Sequence, residues 1–195
     1  MNPYEAVGVA FGIASVWLIA RQDVWGWPLG LVNAALFIVV FRDARLYAAM
    51  GLQVVYVALL LYGWYSWRRG GPGHQALRVR PTPRGLVPWL IGLGAVGAAA
   101  LGTLLSRHTD ASLPFLDATL TAFSLVAQAM QARKWIGNWG VWLVVDVGYV
   151  AMYAYKHLFL TAGLYLVFLG LAVMGLVEWR KSLDSAVAPP AGARH

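Results

Sequence analysis

The residues that could do chemistry crowd into one stretch: Arg133-Lys-Trp-Ile-Gly-Asn-Trp-Gly-Val-Trp-Leu-Val-Val-Asp-Val-Gly-Tyr149. On a helix, Trp135, Asn138, Trp139, Trp142, Asp146, Tyr149 and Tyr153 recur every three or four residues and share a face. The opposite face, Gly137, Gly140, Val144, Gly148 and Ala151, is small and apolar and suits packing on a neighbour. A second stripe, Asp117, Thr121, Ser124, Gln128 and Gln131, keeps the same spacing. Gln53 and Tyr56 lie one turn apart, and Asn33 lies one turn before Phe37. Rings that stack and amides that read an edge fit a small, flat, polar guest; stacking on an aromatic ring is worth ~1–3 kcal/mol per base in nucleic-acid systems. The expected guest-binding set is therefore Asn33, Gln53, Tyr56, Gln128, Gln131, Asn138, Trp139, Trp142, Asp146 and Tyr149.

Covalent chemistry has little support. No nucleophile–base–orienter set, H-E-x-x-H, G-x-S-x-G or P-loop pattern occurs. The four histidines form no ligand pair at helical spacing, and there is no cysteine, so neither a metal site nor a disulfide is expected. Asp146 is open to two readings, an interhelical structural hydrogen bond or contact with a ligand. An enzyme acting on lipid through Asp146 and a sensor that binds without flux are the competing classes.

The elements that must position these residues are membrane helices. The 195 residues are 60% hydrophobic and only 12% charged, a combination that soluble domains rarely show. Apolar runs long enough to cross ~30 Å of hydrocarbon recur. Seven spans are expected, near 5–21, 24–41, 47–67, 86–105, 115–131, 137–155 and 159–178. An ionised aspartate at the centre of such a span costs ~2.5–3.5 kcal/mol, so Asp146 must face the bundle interior or a wet cavity, or be protonated. The tryptophans near span ends, Trp25, Trp27, Trp64, Trp67, Trp89, Trp135 and Trp179, read as interfacial anchors. The net charge of +7 reads as cytoplasmic loops rather than nucleic-acid binding. Seven spans put eleven Lys and Arg on one side and four on the other, which predicts an outside N-terminus and a cytoplasmic C-terminus.

The chain also matches itself at an offset of 112 residues: Phe11 on Phe123, Arg21 on Arg133, Trp27 on Trp139, Leu31 on Leu143, Leu46 on Leu158, Gly51 on Gly163, Gly63 on Gly175 and Trp67 on Trp179. Spans 1–3 thus correspond to spans 5–7, and the extra span 4 gives both triples one orientation. The expected fold class is an all-α membrane protein of seven transmembrane helices in a 3+1+3 parallel repeat. Its expected parts are a first bundle (1–67), a basic loop and linker helix (68–114), a second bundle (115–181) and a disordered tail (182–195). The Pro/Gly-rich loop 68–85 reads as a flexible cytoplasmic joint.

Several of these segments resemble a known family. Trp27-Pro28, the run Phe41-Arg-Asp-Ala-Arg-Leu-Tyr-Ala-Ala-Met-Gly-Leu-Gln53, Tyr62-Gly-Trp-Tyr-Ser-Trp67, and Ala132-Arg-Lys-Trp-Ile-Gly-Asn-Trp139 with Trp142 are similar to the PnuC vitamin transporters. The resemblance implies a SWEET-like fold, a homotrimer with one pathway per protomer, and no cofactor. It implies uptake of nicotinamide riboside, an NAD precursor, by facilitated diffusion through the bacterial inner membrane. Asn138, Trp139 and Trp142 match the family's substrate-contacting motif. Relatives that carry thiamine or riboflavin keep those vitamins as alternative cargoes.

Overall fold

The computed structural model describes residues 3–187 apart from 44, 46, 110 and 111, and gives no side-chain description for 47, 48, 186 and 187. Seven long helices dominate: α1 (Pro3–Ala20), α2 (Gly26–Asp43), α3 (Tyr47–Arg69), α4 (Val87–His108), α5 (Pro114–Ala132), α6 (Gly137–Tyr155) and α7 (Phe159–Val187). Five of them are long and apolar enough to cross a membrane by length and composition. The other two, α5 and α6, carry the polar stripes. At 19 residues each they still reach about 28 Å, close to a hydrocarbon core.

Local chemistry sets the helix starts. Prolines occupy the first turns of α4 and α5, where a missing N–H costs nothing. Before α2, the Asp23 carboxylate accepts the Trp25 N–H at 2.9 Å, an Asx-type turn.

Neighbour contacts arrange six helices as a ring. α1 packs on α2, α2 on α3, α3 on α5, α5 on α6, α6 on α7, and α7 returns to α1; α4 lies outside, against α5. Contacts recur at the 112-residue offset seen in the sequence. Trp27 meets Trp67 edge to face at 5.3 Å, and Trp139 meets Trp179 edge to face at 5.3 Å. Trp67 donates its indole N–H to the Gln131 carbonyl, as Trp179 does to the Ile19 carbonyl. A methyl group at Gly63 would strike the Trp27 ring, and one at Gly175 the Trp139 ring. Even the strained turns match: Gln22 and Lys134 hold φ of 64° and 51°, Arg45 and His157 hold 58° and 57°.

The tryptophans correct one expectation. Trp27, Trp67, Trp135 and Trp179 are buried, with Trp27, Trp67 and Trp179 joined to Trp139 in one cluster, whereas Trp25 and Trp89 are exposed as anchors would be. Position near a span end does not distinguish an inward ring from an outward one.

The loop after α3 corrects another. Its expected flexibility gives way to fixed pairing: the Leu77 N–H donates to the Trp67 carbonyl, and Arg80 donates to Lys134 and accepts from Ile136 through its backbone. Thr82 Oγ1 accepts the Gly137 N–H, and Leu77 is buried. The loop is a strap from the end of α3 to the start of α6. The tail differs as well. α7 runs to Val187, tied to the turn after α1 by Gln22 Nε2 donating to Ser182 Oγ at 2.6 Å, so 182–187 is helix rather than coil. Residues 188–195 of that expected tail lie outside the described residues.

On α6 the small face packs only in part. Gly148 abuts Leu120 of α5 and Gly137 abuts Thr82, but Gly140, Val144 and Ala151 point away from the rest of the chain.

Candidate functional site

The ring of helices encloses a cavity of about 460 Å³, within the usual size of a small-molecule site. It reaches from the level of Glu5 and Phe41 to that of Ile19 and Trp139. Trp139 forms part of its wall and also packs on Trp179, so the indole cluster bounds the cavity at that level.

Most of the expected residues converge here. α2 presents Asn33, α3 Gln53 and Tyr56, α5 Gln128 and Gln131, and α6 Trp139, Trp142, Asp146 and Tyr149. Asn138 is the exception. It is fully buried outside the cavity wall, with its amide donating to the Trp135 carbonyl at 2.7 Å. Its neighbour Trp139 takes the inward direction on that turn, which leaves Asn138 as a brace on the start of α6.

Hydrogen bonds hold much of the wall in place. Trp142 Nε1 donates to Gln131 Oε1 at 2.8 Å, orienting both. Tyr56 and Ser124 share a hydroxyl–hydroxyl bond of 2.6 Å, and Tyr149 shares a longer one of 3.3 Å with Thr121. Asn33 Nδ2 donates to the Gly8 carbonyl at 2.7 Å. Asp146 is only 3% exposed and has neither a hydrogen bond nor an ion pair among the described residues. Such pre-set rings and amides leave little to order when a guest arrives.

α7 adds residues that sequence reasoning missed: Thr161, Tyr165 and Phe168 line the cavity, and Tyr165 packs on Tyr149 at 4.5 Å and Tyr153 at 5.4 Å. Ser15 and Glu5 of α1 were missed too. The 112-residue offset would have found part of this set, because Tyr165 and Phe168 correspond to Gln53 and Tyr56.

Corresponding wall positions differ in character. Gly12, Val16, Gly30 and Ala34 of the first half stand where the second half has Ser124, Gln128, Trp142 and Asp146. At these positions the second half presents polar and aromatic side chains, and the first half presents smaller, apolar ones.

Membrane-length helices around an aromatic, amide-lined chamber define the class of multi-pass membrane proteins that take in small molecules. A sequence-family model described as "Nicotinamide mononucleotide transporter" matches residues 2–181. The chain belongs to that transporter family. It is 28% identical over 204 residues to the nicotinamide riboside transporter PnuC of Escherichia coli (strain K12), covering 91% of this chain and 85% of that one. It is 30% identical over 182 residues to the riboflavin/roseoflavin transporter RibM of Streptomyces davaonensis, covering 90% and 83%. Among solved structures, the crystal structure of the vitamin B3 transporter PnuC superposes with a TM-score of 0.74 at 22% identity, over 94% of this chain and 84% of that one, which establishes a common fold.

Proposed function

We propose that the protein carries nicotinamide riboside across the bacterial inner membrane by facilitated diffusion, through the cavity between its two three-helix halves. The observation that carries this reading is the chamber itself: Trp142 held by Gln131, flanked by Gln128, Gln53 and Tyr149, in a volume suited to one nucleoside. The charged side chains on its wall, Glu5 and Asp146, are both acidic, which favours a riboside over its phosphorylated mononucleotide. Riboflavin is the second reading, favoured by the 30% identity to the RibM transporter.

The halves are proposed to be parallel repeats about an axis along the membrane normal, with α4 reversing the chain between them, in a SWEET-like plan. The matched indole pairs and left-handed turns support that arrangement. A homotrimer is proposed from the family resemblance, and cross-linking in native membranes tests it.

The deciding experiment is uptake of labelled nicotinamide riboside and of riboflavin into liposomes holding purified protein. Saturable, energy-independent uptake of the riboside is expected. Trp142→Ala should raise its half-saturation concentration about tenfold or more, in line with the loss of one stacking ring. Saturable uptake of riboflavin without the riboside would favour the second reading, and flux of neither would overturn both.

A further inference from the structure

We propose that Asp146 is the charge selector of the cavity, making the site prefer a cationic nitrogen heterocycle over a neutral ring of the same size and shape. The inference deepens the transport reading above and rests on it.

Three observations combine. First, Asp146 lies mid-way along α6, on the cavity wall, one turn from both Trp142 and Tyr149. Second, it has no hydrogen-bond or ion-pair partner among the described residues, while Trp142 bonds Gln131, Tyr149 bonds Thr121, and Tyr56 bonds Ser124. A carboxylate at membrane depth is expensive unless something compensates it. The hydroxyls and indole beside it are compensated by the protein's own side chains; the Asp146 carboxylate, the charged group at mid-depth, is left to the guest. Third, the groups nearest it along the wall are electron-rich rings. Tyr149, Tyr153 and Tyr165 form one mutually packed group, and Trp142 stands on the other side. Aromatic faces and a carboxylate attract the same kind of guest, a flat cation whose charge is spread over a ring.

Nicotinamide riboside is such a guest, because its ring nitrogen carries the glycosidic bond and the ring is a pyridinium. Thiamine, with a thiazolium, is another. Riboflavin is neutral. An aspartate here adds Coulombic attraction for the first two and none for the third, so it discriminates by charge where stacking alone does not.

The test uses full-length protein in nanodiscs and a matched pair of guests, nicotinamide riboside and its dihydro form. The dihydro form adds a hydride to the ring, is neutral and has nearly the same shape. Binding is measured by titration calorimetry, with thiamine and riboflavin as a second cation and a second neutral ring. Wild type should bind the cation about tenfold or more tightly than the dihydro form. Asp146→Asn should erase that preference by weakening the cation, while the dihydro form changes by less than about threefold. Asp146→Glu, which keeps the charge, should retain the preference, and retained binding of the dihydro form shows that the variants fold. Equal weakening of both guests by Asp146→Asn would overturn the proposal, as would an unchanged preference or a wild type that favours riboflavin over both cations. Binding of none of the four guests would overturn the transport reading as well.

Discussion

Lys134 brings an ammonium into the protein with no carboxylate to meet it among the described residues. It is 7% exposed, and its Nζ sits 4.2 Å from the centre of the Trp67 ring. Burial lowers the Lys134 ammonium from its ordinary range to about 8. The folded protein therefore holds this proton less tightly than the unfolded chain does. Protonation opposes folding, fully below about pH 8, and the penalty fades as pH rises toward the ordinary lysine value. The expected outcome is that Lys134→Met raises the melting temperature relative to wild type at pH 7 and that the gap narrows by pH 10, as thermal unfolding in detergent would show. No change in the gap with pH would contradict it. Reading single residues from sequence worked where helical spacing was enough: Trp139, Trp142, Asp146 and Tyr149 share a face and one chamber. It failed at Asn138, because the two ends of a contact motif can diverge in direction within one residue step of about 100°. It failed at Trp67 as well, where burial depends on an indole bond to Gln131 that is 64 residues away.

At the scale of elements, two glycines set how closely helices approach. Gly63 of α3 and Gly175 of α7 each lie under an indole ring, Trp27 and Trp139 respectively. No side chain fits without moving a ring that is itself wedged against another tryptophan. Gly175→Ala and Gly63→Ala should each destabilise by about 1–3 kcal/mol, as overpacking does. The check is thermal unfolding in detergent, with Gly163→Ala, which has open space around it, as the neutral control. Equal behaviour of all three variants would refute the close-packing account. The span lengths were legible in the sequence because a hydrocarbon slab demands apolar runs of fixed length. The strap was not. Its Pro and Gly content reads as a joint, yet its backbone groups pair with Lys134, Ile136 and Gly137, and composition carries no record of such long-range partners.

At the scale of the molecule, the strap and the start of α6 share one end of the helix ring, and the loop before α5 lies at the other. The charge distribution predicts that the strap end faces the cytoplasm. The chain has no native cysteine, so single reporters can be placed cleanly. A membrane-impermeant maleimide should label Ser112→Cys in intact cells and Gln75→Cys only after the membrane is opened. The reverse pattern would invert the proposed topology. The repeat was readable because identities survived at large and small packing residues, Trp27 with Trp139 and Gly63 with Gly175. The chamber wall was less readable for the opposite reason, since Gly30 stands where the second half has Trp142, and Ala34 where it has Asp146.

That divergence separates two properties that a binding pocket usually ties together. On the proposed reading most of the groups that name the cargo sit on one half, so the rotation-related short side chains of the other are free to set how bulky a cargo fits. Ala34 is one such spacer, buried on the wall with only a methyl group to offer. Lengthening it would trim the chamber from the side with less to read, giving carriers with the same taste and a smaller mouthful.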